Sequence, residues 1–417
     1  MTEVLESLEH LTMKSYDDAA TNGSHNQKSI PNRVGQQDNE SKFNFILAAE
    51  EAVSLEKNYI LSICATSDPE FRIAAAFSDY SCNVYTVGET LSRVATFDQN
   101  QSAIIGIKFS TTHQSLLYTA FSDGYIMLYD LRSNGRAVTQ YQADDSEDTV
   151  RQMKNLASFA IAPDERIMAG GTEYRDGDSF ILFWDTRYPT SKAHGKRTTM
   201  GGYWESHTDD VTTLRFHPIR RDILASGSTD GLINIFDLAQ PNEDSALMHS
   251  LNTESSVDRL DWLGEGRLWC GTHTNALQLW DCEGAAPYAK FERSALTNSQ
   301  NEEPENCYLV KMHSDSAMTR NFLLSGCSTN KRESLRCMTV RDGELEICCL
   351  MTENKQIVRD SWYQEKNNCL VTGGEGGIVS IWKYEEPELL QSNCNHKLHS
   401  KIHKAKGRDR LHKVKPY

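Results

Sequence analysis

The chain has 417 residues, with 58 acidic against 43 basic side chains, a net charge of −15 at pH 7, and an ordinary turn supply of 25 Gly and 10 Pro. No run of eighteen consecutive apolar residues occurs, and the opening MTEVLESLEHLTMKSYDDAA lacks the apolar stretch of a secretory signal, so neither a membrane-spanning helix nor secretion is expected. The eleven cysteines are odd in number and form no Cys-x-x-Cys pair, which predicts free, mostly buried thiols in a reducing compartment and no metal or disulfide framework.

Residues 1–41 are polar and poor in aromatics, the composition of a disordered head. Within it Val4, Leu5, Leu8 and Leu11 share one helical face, as in a transient helix that docks on a partner or in a frayed terminus. At Phe43-Asn44-Phe45-Ile46-Leu47 the pattern turns to strand, and 42–386 reads as one repeated unit. An Asp precedes a buried-type aromatic by six residues at Asp79/Tyr85, Asp123/Tyr129, Asp178/Trp184 and Asp230/Phe236. The aromatic recurs without the Asp at Thr274/Trp280 and Gly376/Trp382. Successive aromatics lie 44, 55, 52 and 44 residues apart, and the 102 from Trp280 to Trp382 leaves room for a degraded copy. Its strands are expected at YLVKM, NFLLSGC, LRCMTV and LEICCLM, between Tyr308 and Leu350.

The cleanest copy is 206–238, SHTDDVTTLRFHPIRRDILASGSTDGLINIFDL. Three short β-type runs divided by Pro, Gly and Asp read as consecutive antiparallel strands. It resembles the WD repeat, the four-stranded blade of a β-propeller. His207, Ser228, Asp230 and Phe236 stand where that family has His, Ser or Thr, Asp and Trp, which the resemblance implies are joined by hydrogen bonds; Phe236 lacks the indole donor. The count gives an all-β, seven-bladed propeller. The last repeat supplies only three strands, at Ile357-Val358, Leu370-Val371 and Val379–Trp382, so Phe43–Leu47 is expected to be its fourth and to close the ring.

Beyond Glu386 the composition inverts. From residue 397 eight Lys and Arg face Asp409 alone, a local +7 that leaves −22 for the rest, interleaved with His399, His403 and His412 and preceded by His396. This disordered tail, 387–417, reads as a nuclear or nucleolar address or as a nucleic-acid contact, the one part of the chain suited to nucleic acid.

No catalytic motif is present. Gly373-Gly374-Glu375-Gly376-Gly377 lacks the Gly-Lys-Ser/Thr of a phosphate loop and is read as a turn where Gly supplies positive φ. His207 and His217 are placed at opposite ends of strand 211–216, so with Asp209 and Asp210 they do not form a metal cluster. No enzyme, cofactor or metal is expected.

In a blade, the loop entering the first strand and the turn between the second and third open on one face. Asp144, Asp145, Glu147 and Asp148, then Glu205, Asp209 and Asp210, then Glu302, Glu303 and Glu305 lie in entering loops. Glu173, Asp176, Asp178 and Glu375 lie in the turns, while Arg132, Arg187, Arg220 and Arg221 fall on the other face. An acidic face of this kind suits basic protein segments such as ribosomal-protein or histone tails.

Tyr129-Asp130-Leu131-Arg132 and Trp184-Asp185-Thr186-Arg187 resemble the Trp-Asp-x-Arg box of cullin-RING ligase substrate receptors. That resemblance implies that Arg132 and Arg187 meet the ligase adaptor. The runs 203–218 and 224–238, the closing Thr372–Glu375 with Trp382, and the basic tail are similar to the WD repeat-containing protein 89 family. The resemblance implies a non-catalytic propeller that acts through protein contacts. The segments 188–202 and 293–306 stand out from it as insertions. The expectation is a monomeric scaffold inside a larger nuclear or nucleolar assembly, in ribosome biogenesis or chromatin; a ligase receptor is the alternative.

Overall fold

The computed structural model describes residues 44–384 apart from 54–57, 67–70, 89, 99–100, 134, 144–152, 189–198, 298–301, 315–320, 330–331 and 367. The head at 1–41, the basic tail, and Asp144, Asp145, Glu147 and Asp148 lie outside the described residues. Seven four-stranded antiparallel sheets follow one another along the chain. They are blade 1 (60–97), blade 2 (104–142), blade 3 (156–203), blade 4 (213–252), blade 5 (257–291), blade 6 (307–351) and blade 7, which combines 358–384 with the strand Phe45–Ala52. First strands of most neighbouring blades adjoin around a central axis, the second strand of blade 5 meets the first of blade 6, and the first strand of blade 7 meets that of blade 1, so the ring is closed.

The aromatic of the repeat lies on the third strand and is buried in every copy that has it. Where it is Trp, its indole N–H finds an acceptor: Trp184 Nε1 donates to the Gln142 carbonyl at 2.9 Å, Trp280 to Gln278 Oε1 at 3.1 Å, and Trp382 to Thr372 Oγ1 at 3.0 Å. The sixth blade shows why its copy is faint. Leu323 pairs with Met338 as Leu370 pairs with Trp382, so Met338 takes the aromatic place. Ser325 Oγ lies 3.2 Å from Met338 Sδ, where Thr372 meets the indole in blade 7. The outer strand of blade 3 is Thr199–Tyr203, so the end of the segment 188–202 is a blade strand and not an insertion.

The apolar core consists of seven clusters, each spanning two neighbouring blades. Packing this close requires glycine at the blade seams. A methyl group on Gly171 or Gly227 would collide with Val211 or Val257 of the following blade, and one on Gly373 with Ile63 of blade 1. Gly373 and Gly374 thus belong to the strand Cys369–Gly374, and within 373–377 positive φ falls to Gly377 alone.

Closure begins at Phe45, two residues later than the pattern suggested, and runs to Ala52. This strand pairs antiparallel with Ile378–Tyr384, from Phe45 opposite Tyr384 to Ala52 opposite Ile378. Phe45 is buried among Phe322 of blade 6 and Tyr363 and Tyr384 of blade 7, with ring centroids 5.6, 6.5 and 6.0 Å away. Its N–H donates to Cys349 Sγ at 3.3 Å.

Near the axis, Asp360 ties three blades together. Its carboxylate accepts from the N–H of Ile63 in blade 1 at 2.8 Å, from Lys311 Nζ in blade 6 at 3.4 Å, and from the N–H of Ser361 at 2.8 Å. Burial pushes this carboxyl up, but Lys311, the Ile63 N–H, Arg259 and the Ser361 N–H outweigh it and hold its pKa below the usual carboxylate range.

Deleting 42–48 removes the start of the closing strand with its Phe45 anchor, and the single cooperative thermal transition is expected to disappear; an unchanged calorimetric melt would refute the closure role. Since the folded pKa of Asp360 lies below its unfolded value, the carboxylate contributes stability at neutral pH that is lost as the pH falls through the carboxylate range. Asp360→Asn is therefore expected to cost about 1–3 kcal/mol at pH 7, with the gap to wild type closing in acid. Parallel denaturation curves from pH 7 to pH 3 would contradict this.

Candidate functional site

The best-defined polar constellation braces blade 4. His207 Nδ1 lies 3.0 Å from Asp230 Oδ2 and His207 Nε2 2.7 Å from Ser226 Oγ, all three side chains being largely shut off from solvent. The hydroxyl that meets the imidazole is thus Ser226, on the second strand, and not Ser228. Ser228 Oγ instead accepts from the N–H of Asp230 at 3.1 Å and donates to the Asp209 carbonyl at 3.2 Å. Asp230 also accepts from the N–H groups of Thr208 at 3.0 Å and Leu232 at 2.9 Å. Burial pushes this carboxyl up, but His207, followed by the Thr208 and Leu232 N–H groups, outweighs it and holds the pKa below the usual carboxylate range. Phe236 offers no donor and packs against Tyr203, with centroids 4.9 Å apart. Asp123 occupies the matching turn of blade 2 with one carboxylate oxygen buried and unbonded, and its aromatic, Tyr129, donates its O–H to Met127 Sδ at 3.3 Å.

The two histidines are at opposite ends of the blade. His217 Nδ1 accepts from the N–H groups of Ile219 at 3.1 Å and Arg220 at 2.9 Å, so Nε2 carries the proton toward the Glu265 carbonyl at 3.2 Å. Burial, followed by Arg220, lowers its pKa and keeps it neutral.

Where blades 3 and 4 meet, the structure brings several of the acids together. The blade 3 turn is closed by reciprocal 3.0 Å backbone bonds between Arg175 and Asp178, with Asp176 exposed at its tip in left-handed backbone. The neighbouring loop supplies Asp210, whose Oδ1 accepts from the N–H of Tyr174 at 2.6 Å, and Asp209, whose Oδ1 caps the N–H of Asp210 at 2.8 Å. Glu205 is exposed, but its backbone N–H is drawn 2.9 Å from Glu243 Oε1, in the one-turn helix before the outer strand of blade 4. That places it toward the rim, away from Asp209. Two aromatic side chains that the sequence did not single out stand open, Tyr174 beside Asp210 at 47% and Trp204 beside Glu205 at 44% exposure.

Other acids of the supposed face serve elsewhere. Glu173 accepts from Asn155 Nδ2 at 2.9 Å, and Glu375 is bound by the Arg359 guanidinium. Glu302 turns into blade 6 and pairs with Arg336, which is fully buried. A charged residue inside the apolar strand LRCMTV was the one sequence sign of such a pair.

On the opposite face Arg132 and Arg187 have the same geometry. In each, Nε and Nη2 grip the Asp two residues earlier, at 2.9 and 2.7 Å for Asp130 and at 2.9 and 2.5 Å for Asp185. Both side chains remain exposed, and the Arg132 guanidinium holds the Asp130 carboxyl down to about 2. Arg221 reaches Asp164 of blade 3 at 3.4 Å, and Arg220 donates to the Glu265 carbonyl of blade 5 at 2.9 Å. The carboxylate of Glu165 in blade 3 accepts from Ser110 Oγ at 2.7 Å and from the backbone of Thr111 and Thr112 in blade 2. These a priori unremarkable turn residues lock blades 2 to 5 together.

Residues 199–237 match the family described as WD domain, G-beta repeat. The chain is 25% identical to the WD repeat-containing protein 89 homolog of Dictyostelium discoideum, over 81% of this chain and 86% of that protein. It is 26% identical to an uncharacterized WD repeat-containing protein of Saccharomyces cerevisiae, over 73% of each. It is 27% identical to the histone acetyltransferase type B subunit 2 of Debaryomyces hansenii, over 46% of each. Seven four-stranded blades make this chain a seven-bladed β-propeller, and its fourth blade matches the WD repeat.

Proposed function

We propose that the protein is a non-enzymatic interaction scaffold that takes basic protein segments on the face where blades 3 and 4 meet. The observation that carries this reading is the pair of uncommitted carboxylates at this junction, Asp176 near the exposed ring of Tyr174 and the loop of Asp209 and Asp210, and Glu205 beside the exposed ring of Trp204. A cationic side chain gains both from the carboxylates and from an aromatic face, by about 0.5–1 kcal/mol per exposed ring. Acidic potential on one face also speeds encounter with a basic partner. The basic tail supports a nuclear or nucleolar setting, and nucleic-acid contact falls to that tail alone. A relative named as a subunit of a histone acetyltransferase supports work inside a larger assembly of the chromatin or ribosome-building kind, with this chain as one monomeric member. Among the described residues no helix is long and apolar enough to cross a membrane.

A second reading, ligase substrate receptor, draws on the matched guanidiniums of Arg132 and Arg187, which stand exposed on adjacent blades of the other face.

Affinity capture with quantitative mass spectrometry separates the two. The carboxylates of Asp176 and Glu205 make no hydrogen bond or ion pair among the described residues, so Asp176→Lys/Glu205→Lys leaves the frame intact. It is expected to lower capture of basic proteins at least tenfold, with the loss fading as salt rises. Capture that is insensitive to both charge reversal and salt would overturn the scaffold reading. Loss of a cullin adaptor in Arg132→Ala/Arg187→Ala, with basic partners unaffected by the acidic-face variant, would favour the receptor instead.

A further inference from the structure

Blade 6 carries a cluster that the scaffold reading does not use. Cys307 opens its first strand, and Cys327 lies directly opposite on the second. Both are buried. Glu302, on the loop that enters the blade, points inward and takes bonds from Arg336 Nη1 at 2.8 Å and Nη2 at 3.2 Å. One ligand atom from each of Glu302, Cys307 and Cys327 falls within 4.8 Å of the others. A cavity of about 250 Å³ lined in part by Glu302, Cys327, Ser334 and Arg336 opens beside them.

We propose that Glu302, Cys307 and Cys327 form a zinc site, with the fourth position left to a water in the adjoining cavity. Two sulfurs and one carboxylate oxygen suit a borderline-soft, tetrahedral ion, and a fourth position open to water is common where three side chains bind. The mutual spread of 4.8 Å needs only a modest side-chain closure to reach Zn–S bonds of about 2.3 Å.

The charge balance favours the same ion. Without metal the pocket holds two neutral thiols, one carboxylate and one guanidinium, a net charge of zero. Binding Zn²⁺ forms two Zn–S bonds and one Zn–O bond and breaks two S–H bonds, releasing two protons to solvent. Two thiolates, one carboxylate, one guanidinium and the dication again sum to zero, so the buried site pays no net charge.

The surroundings are held in place as a metal site requires. Arg336 fixes the carboxylate by its two-pronged grip and also donates to the Leu296 carbonyl at 3.2 Å. Arg293 donates to the carbonyls of Cys307 at 2.7 Å and Glu305 at 2.5 Å, which anchors the loop on both sides of the first cysteine. The Cys307 sulfur meets the Cys327 sulfur opposite and, weakly, the Glu303 carbonyl at 3.9 Å, so the two sulfurs already face one another across the strand pair.

The test uses the full chain, reduced, with Co²⁺ as spectroscopic probe and Zn²⁺ as competitor. Wild type is expected to develop a thiolate-to-cobalt charge-transfer band at one ion per chain, to lose it when Zn²⁺ displaces Co²⁺, and to release two protons per Zn²⁺ bound. Cys307→Ala and Cys327→Ala are expected to abolish the band, and Glu302→Gln to weaken binding at least tenfold with the band retained. Thermal melts of the three variants report that each is folded. The histidines of the C-terminal tail take up metal without thiolate absorption, so uptake lacking the band overturns the proposal. A band that survives both cysteine substitutions overturns it equally.

Discussion

Everything in this fold depends on pairing the two ends of a ring. An open propeller would present the third strand of blade 7, Ile378–Tyr384, with a row of unpaired backbone groups. The strand Phe45–Ala52 covers that edge across more than three hundred residues of intervening chain. Backbone bonds alone would leave such a long loop closure weakly held, since the ends must first be found. Phe45 adds a buried aromatic between blades 6 and 7, and Cys349 of blade 6 receives its N–H. The clasp therefore secures a seam between blades as well as an edge.

Polar side chains repeat that logic at the other seams. Asp360 joins blade 7 to blades 1 and 6, and Arg259 of blade 5 donates to the Arg359 carbonyl of blade 7 at 3.1 Å. Ser158 donates to the Val211 carbonyl at 2.6 Å, and Thr212 to that of Val257 at 2.6 Å, carrying blade 3 to 4 and 4 to 5. Each bond is short-range in space and long-range in sequence. The glycines at Gly171, Gly227 and Gly373 make room for this proximity, and apolar clusters that straddle neighbouring blades fill it.

What was legible in the residues follows from what repeats. The spacing from Asp230 to Phe236, and its echoes up to Trp382, marks third strands because a turn and a buried aromatic belong to one hairpin. The closing strand was legible because one strand was left over. The bracing hydroxyl was misplaced by two residues, Ser228 for Ser226. Both lie in SGS, and only the pairing register shows that Ser226 faces the imidazole. The outer strand Thr199–Tyr203 was hidden because TMGGY carries little apolar signal on a half-exposed edge. Glu165, Asp360 and the inward turn of Glu302 were not legible at all. Their partners lie 34 to 297 residues away, and no local pattern distinguishes a carboxylate that spans a seam from one that faces water.

That distinction also governs how an acidic surface should be read. The blade architecture assigns many carboxylates to one face, yet Asp210, Asp230 and Glu302 are already committed to backbone N–H groups, an imidazole or a guanidinium. A carboxylate so engaged gives the fold its geometry and contributes less attraction to a partner, because part of its field is cancelled on site. What stays uncommitted is smaller and more local: Asp176 at a turn tip near the open ring of Tyr174, and Glu205 toward the rim beside that of Trp204. The net charge of −15 favours encounter with cationic groups in general. On the proposed scaffold reading, the few uncommitted groups at the junction of blades 3 and 4 are where such a partner would be held.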